Sequence, residues 1–155
     1  MSLYVRIVNG AVADCWDTPP AEGVGNAGWK NAVEVRPTII PNRQGYTAHT
    51  FDLTTDPVQI KYGTFNIAVA DRAAGMTQNA AFAFQQVVNQ QAQKGSAYDA
   101  NAVATALTTM QNAEALIAAA TTHNQLDAIQ NGTATTVAQV QAITTPDAVL
   151  TPVSN

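Results

Sequence analysis

The first 68 residues alternate between apolar and polar positions with a period of two, which is typical of β-strands. Two such segments, residues 3–8 and 11–16, flank Asn9-Gly10. Asn-Gly supplies the two positive-φ positions of a type I′ turn, so this stretch predicts an N-terminal hairpin. Similar patterns predict strands at residues 32–40, 46–53 and 58–69. Together they predict a small antiparallel sheet.

The period changes to that of a helix at about residue 70. Residues 71–94 contain no proline, and apolar or long side chains recur every three or four positions at Met76, Ala80, Phe84, Val87 and Gln91. Gly95 supplies a stop signal. The pattern predicts one long amphipathic helix.

Further helix signals follow in the last third of the chain. Ser96 resembles the first residue of a capping box, and Val103, Leu107, Met110 and Ile117 then form the apolar face of a second helix. The segments that begin at Thr122 and Thr136 predict two short helices, each opened by a threonine cap. Residues 146–155 are expected to be a tail.

These elements predict an α+β protein with three parts. Residues 1–68 are expected to be an antiparallel β docking module, and residues 69–145 an α-helical oligomerisation or attachment region made of a long helix, a helical hairpin and short terminal helices. Residues 146–155 are the C-terminal tail.

Charge is scarce, which changes how the helices are interpreted. Charged residues make up 12% of the chain, against roughly 25% in ordinary soluble proteins. After Lys94 only Asp99, Glu114, Asp127 and Asp147 carry side-chain charge. Two interpretations stay open: the C-terminal part is partly disordered, or other subunits cover its surface.

The apolar faces of the predicted helices are narrow and built largely from small residues, so each buries little area by itself. They could pack against the sheet, or around a three-fold or higher axis. The sequence therefore predicts that partner contacts stabilise this region. The candidate interface residues are Met76, Ala80, Phe84, Val87, Val103, Leu107, Met110 and Ile117.

Catalytic, cofactor and metal sites are not expected. The letters G-x-G-x-x-G occur at Gly23, Gly25 and Gly28, but a dinucleotide site also requires a strand before them and a helix after them. Cys15, the only cysteine, is interpreted as a small core residue. The histidines do not show metal-ligand spacing, and we expect no small-molecule substrate.

Most aromatic residues lie in the sheet region, where they are expected to form its core, with one or two left exposed for a partner. Aspartates near turns are expected to make local hydrogen bonds, and Asp71-Arg72 to be an exposed pair or a helix-terminal charge. The net charge is −4 and the seven Lys and Arg residues are scattered, so nucleic acid is not an expected partner. Neither a signal peptide nor a membrane span is expected.

The chain opens with LYVRIVNGAVADCWDT and continues through a Pro- and Gly-rich loop to VQIKYGTFNIAVADRAAGM and an Ala/Gln-rich helix. These stretches, which cover about the first 95 residues, resemble small structural proteins of tailed bacteriophages, especially tail-fibre-associated and tail-accessory families. The low charge and the high Ala, Thr, Gln and Asn content also resemble virion proteins. The resemblance implies fold and context, and no site residues.

The expected function is therefore that of a non-enzymatic virion protein of a tail, tail fibre or baseplate, assembled in the bacterial host cytoplasm. Its expected partners are other virion proteins and further copies of itself, as a trimer or larger oligomer. A capsid decoration or cement protein and a tail-fibre assembly chaperone are the alternatives. A small hydrolase or sugar-binding module built on the aromatic sheet is a further one, against which the lack of a nucleophile-base pair argues.

Overall fold

A computed structural model, which describes residues 2–155, confirms the α+β class. The chain forms two compact units. The first contains the residues up to Asn66 together with Leu150–Asn155, and the second contains Ile67–Val149. The strands are β1 (Leu3–Val8), β2 (Ala11–Trp16), β3 (Trp29–Val35), β4 (Gln44–Asp52) and β5 (Val58–Asn66), and the helices are α1 (Val69–Ala92), α2 (Ala100–Ala119), α3 (His123–Gln130) and α4 (Val137–Gln141).

All five strands of the first unit form one sheet in the order β2-β1-β3-β5-β4. The β1–β2, β1–β3 and β4–β5 pairs are antiparallel, but β3 and β5 run parallel, with Ala32 opposite Val58. The expectation of a wholly antiparallel sheet is therefore wrong for this pair. The chain leaves β3, forms the edge strand β4, and returns through the β4–β5 hairpin into the position beside β3.

The N-terminal hairpin has the predicted turn. Backbone φ is +53° at Asn9 and +78° at Gly10, as a type I′ turn requires. The β1–β2 register shifts between Arg6 and Ile7, so the hairpin contains an irregularity that alternation alone does not reveal.

The Gly-rich loop ends at Gly28, and β3 starts at Trp29, earlier than predicted. Gly28 has φ of +83° and lies against β1, where its carbonyl accepts a hydrogen bond from the Ile7 amide at 2.9 Å. A Cβ at this position would lie 2.4 Å from the Ile7 carbonyl oxygen. The loop is therefore seated on the hairpin by a close backbone approach that only glycine permits.

In the second unit, local caps determine where the helices begin. Thr122 and Thr136 are the predicted caps, and each forms a full capping box, with Gln125 and Gln139 respectively. The prediction that Ser96 caps α2 is wrong. Asp99 is the cap, and its side chain accepts hydrogen bonds from the second and third helical amides, those of Asn101 and Ala102.

The core of the helical unit lies where α3 and α4 pack against the C-terminal half of α2. Ala128, Ala134 and Val140 form a buried cluster with Leu116 and Ile143 packed on it.

Arg72 is also buried, contrary to the expectation of an exposed Asp71-Arg72 pair. Its guanidinium pairs with Asp127 at 2.7 Å and donates to the Gln130 side chain at 2.8 Å.

Candidate functional site: an apolar groove in the helical hairpin

Helices α1 and α2 pack side by side and leave an open groove of about 450 Å³ between them. Four of the eight predicted interface residues line it: Ala80, Phe84 and Val87 from α1, and Met110 from α2. The other lining residues are Ala83, Ala106, Thr109 and Ala113. The helical periodicity of the sequence therefore located residues that the fold brings together.

The remaining four candidates lie outside this groove. Met76 and Val103 are half-buried, and Leu107 is 38% exposed. Ile117 is 5% exposed and is therefore a buried residue of the helical unit. Its role as an interface residue would require a surface that the folded unit does not present.

Small side chains create the groove. Alanine at positions 80, 83, 106 and 113 lets the two helices approach each other but leaves the space between them unfilled. The predicted interface set includes Ala80 but not Ala83, Ala106 or Ala113, because alanines occur at many positions of both helices and mark no single face. A run of alanines on two consecutive helices was the signal that could have found them.

The groove can bind apolar groups and offers no acid–base chemistry. No lining residue carries an ionisable side chain. The one lining hydroxyl, on Thr109, donates to the Thr105 carbonyl of its own helix at 2.9 Å. An apolar side chain that enters would therefore leave no polar group of the wall without a partner.

On the sheet, a second cluster joins aromatic and charged side chains that are distant in sequence. The Arg36 guanidinium lies 4.6 Å from the centre of the Tyr62 ring and 5.6 Å from that of Tyr46. Glu34 accepts hydrogen bonds from Arg36 at 2.8 Å and from the Tyr62 hydroxyl at 2.9 Å. Sequence reasoning missed this cluster, because the parallel β3–β5 pair creates it.

Hydrogen bonds within this cluster stabilise the usual protonation states of its side chains: a charged Glu34 carboxylate and a neutral Tyr62 hydroxyl. Hydrogen bonds from Arg36 and then from Tyr62 lower the pKa of the Glu34 carboxyl, and the hydrogen bond to Glu34 raises the pKa of the Tyr62 hydroxyl. A catalytic acid or base needs a pKa moved towards neutrality, whereas Glu34 moves away from it. The cluster is a network of satisfied pairs.

Cys15 is exposed, so the prediction that it is a core residue is wrong. In β2 it lies opposite Val5, near the edge of the sheet. Partial burial, and then the Glu34 charge, raise the pKa of the Cys15 thiol. A raised pKa disfavours the thiolate, which is the nucleophilic form of cysteine.

Aromatic residues and aspartates of the sheet find partners on other strands of the same sheet. Trp29 is buried, as expected of a core aromatic, whereas Trp16, 4.5 Å from it between ring centres, is 45% exposed. Asp14 pairs with Arg6, and Asp52 with Lys61, each at 2.6 Å.

Across residues 2–155, no group of three or more His, Cys, Asp or Glu side chains is placed to hold a metal ion. No helix in this described part of the chain has the length and apolar character needed to cross a bilayer. The letters G-x-G-x-x-G are followed by the strand β3, so the helix that a dinucleotide site requires does not follow them.

The fold and the groove define an α+β protein with an open apolar surface on a helical hairpin. No protein-family model, no curated protein and no solved structure matches this chain.

Proposed function

We propose that this chain is a non-enzymatic structural protein of a tailed bacteriophage, a component of the tail, tail fibre or baseplate that assembles through protein–protein contacts. The observation that carries the proposal is the open apolar groove between α1 and α2. The phage context rests on the resemblance of the first 95 residues and on the composition. The proposed partners are other virion proteins and further copies of this chain, as a trimer or larger oligomer.

The groove supports assembly because covering it would bury more of the apolar side chains that line it, which is energetically favourable. Phe84, Val87 and Met110 are half-buried in the free chain. Full burial of such a side chain contributes about 1.5–3 kcal/mol relative to full exposure. Because each of these side chains is already half-buried, contact with a partner would contribute a fraction of that free energy. Several such side chains in one groove provide the buried centre that a specific interface needs.

The distribution of charge supports contact between copies. The charged residues of α1, Asp71 and Arg72, both lie in its first turn, and Glu114 is the one charged residue of α2. Two copies can therefore approach along most of the hairpin without burying an unpaired charge.

Alkylation of an introduced thiol tests whether the groove is covered in the assembled protein. In a Cys15→Ser background, Ala83→Cys places a thiol in the groove. Gln78→Cys places one on the outer face of α1, since Gln78 lies about 160° around the helix from Ala80 at 100° per residue. We expect the Ala83→Cys thiol to become protected as protein concentration rises, while Gln78→Cys reacts at a constant rate. Equal, concentration-independent reaction of both would contradict the proposal.

Antibody labelling of purified phage particles tests the location. Label on the tail or fibre is the expected result. Label on the head would instead favour a decoration or cement protein, and a chain present in the lysate but absent from particles would favour an assembly chaperone. Both of these results would overturn the assignment to the tail.

A further inference from the structure

The C-terminal segment Leu150–Asn155 occupies an edge of β5. Strand β3 pairs with the first part of β5 only, and its register ends with Val35 opposite Lys61. Beyond that point Val153 lies beside β5. The Thr64 amide donates to the Val153 carbonyl at 2.8 Å, and the Val153 amide donates to the Thr64 hydroxyl at 2.8 Å. The segment thus lies along β5 where β3 leaves it, without forming a sixth strand.

Gly63 provides the space that this segment needs. A Cβ at Gly63 would lie 2.5 Å from the Val153 carbonyl oxygen and 2.9 Å from the Thr47 hydroxyl. Both are closer than real Cβ contacts allow. Glycine at this position of β5 is therefore required for the segment to lie against the strand.

Two side-chain amides hold the ends of the segment. Asn66 donates to the Leu150 carbonyl at 2.7 Å, and Asn155 donates to the Ala48 carbonyl at 2.8 Å. Residues 151–155 nevertheless remain exposed. The segment is thus held by hydrogen bonds to backbone and side-chain groups of the sheet, with little burial of its own side chains.

The link that leads into the segment is free of packing. Asp147 is fixed to the start of α3, where its carboxylate accepts from the His123 amide at 2.7 Å and the Asn124 amide at 2.8 Å. Ala148 and Val149 follow, both exposed, and Val149 is 96% exposed. These two exposed residues can change conformation with little loss of buried area.

We propose that this edge of β5 is a binding site for the C-terminal segment of a second copy, so that copies exchange Leu150–Asn155. The hydrogen bonds to Thr64, Asn66 and Ala48 are the same whether the segment comes from its own chain or from a neighbour. Exchange therefore reproduces these hydrogen bonds, and at high protein concentration the intermolecular arrangement competes with the intramolecular one. Each copy carries one donor segment and one acceptor edge, which suits pairs, rings or longer arrays.

Disulfide trapping with full-length chains tests this exchange. In the Cys15→Ser background, one chain carries Ala48→Cys and a second, tagged chain carries Asn155→Cys, because Asn155 reaches Ala48. The two are mixed, unfolded in urea, refolded together at high concentration and oxidised with diamide. A matched control replaces Ala48→Cys with Ala11→Cys, an exposed alanine of β2 on the opposite edge of the sheet.

We expect the yield of cross-linked mixed dimer to be about tenfold higher than in the Ala11→Cys control, because binding raises the effective concentration of the two thiols. Gly63→Ala in the acceptor chain should reduce this yield to the control level.

A single chain with both cysteines shows whether the edge binds the segment of its own chain. If that chain closes on itself but the mixed pair does not exceed the control, exchange is excluded; if neither forms, the site itself is excluded. Neither result affects the proposal for the groove between α1 and α2, which is tested separately by alkylation of the Ala83→Cys thiol.

Discussion

At the scale of single residues, Arg72 shows best how the fold departs from expectation. Its side chain is 6% exposed, whereas that of its partner Asp127 is 42% exposed. The guanidinium also donates to the Gln130 side chain. A buried cation of this kind is stable only when its hydrogen bonds are satisfied, and its partners lie more than fifty residues away in the sequence. A pattern of neighbouring residues could not reveal them.

Arg72→Ala is expected to lower the free energy of unfolding by about 2–4 kcal/mol, because it removes buried packing and leaves Gln130 without its donor. Asp127→Asn should cost less, about 1 kcal/mol, since that half-exposed side chain can be solvated by water. Urea unfolding followed by circular dichroism measures both. Equal losses of unfolding free energy in the two variants would contradict this account, which rests on Arg72 being buried and Asp127 half-exposed.

Two glycines with positive φ offer a matched comparison. Gly28→Ala meets the Ile7 carbonyl oxygen, while a Cβ at Gly10 has no neighbour within 4 Å. Gly10→Ala should therefore cost about 1 kcal/mol, for the backbone conformation alone. Gly28→Ala should cost at least about 2 kcal/mol more, since β1 and the loop must move apart. Thermal unfolding of the two variants checks the order, and a larger loss for Gly10→Ala would contradict it.

Asp52 gives a pH dependence with a definite sign. Hydrogen bonds from Lys61 and then from Thr54 lower the pKa of the Asp52 carboxyl to about 2, from its usual 3.8. A lowered folded-state pKa means that the stabilisation is complete above about pH 4 and disappears as the pH falls towards 2. The difference in unfolding free energy between the wild type and Asp52→Asn should shrink over that interval. Proton titration by NMR should place the Asp52 midpoint well below the usual 3.8.

At the scale of elements, local signals were predictable and long-range ones were not. The Asn9-Gly10 turn and the Thr122 and Thr136 caps depend on residues within four positions, and the sequence predicted all three. The parallel β3–β5 pair depends on which strands meet after the chain has crossed the sheet. Alternation within a strand carries no information about its neighbour.

The start of α3 combines both kinds of signal. Thr122 accepts from the third helical amide, as the local pattern predicts, while Asp147 accepts from the first and second. The helix therefore begins with its first three amides paired, and its dipole faces a carboxylate. The contribution of Asp147 was not predictable, because the residue lies beyond α4.

Asp147→Ala should destabilise the protein by about 1–2 kcal/mol, as loss of a helix cap does. Asp147→Asn keeps one acceptor oxygen and should lose about half as much. Chemical unfolding measures both, and Thr136→Ala, at the start of the short α4, is the control for a cap away from α3. An Asp147→Asn variant less stable than Asp147→Ala would contradict this account of the cap.

At the scale of the whole molecule, the two units use the chain differently. In the sheet unit, the charged and aromatic groups of Glu34, Arg36 and Tyr62 satisfy one another. The helical unit buries its core around α3 and α4, yet leaves the groove between α1 and α2 open. Half of the groove lining was predictable from apolar residues at helical spacing. The other half is Thr109 and three alanines, whose effect arises only when two helices meet.

The solution mass of the full chain, measured by light scattering at several concentrations, tests the central claim that the groove assembles this protein. We predict a mass near three times 16.3 kDa or larger for the wild type. Phe84→Glu should dissociate to a monomer because it buries an unpaired charge in the interface, and Gln78→Glu, on the outer face of α1, should keep the wild-type mass. Circular dichroism verifies that both variants fold. A wild type that stays monomeric at every concentration, or a folded Phe84→Glu variant with unchanged mass, would contradict the account.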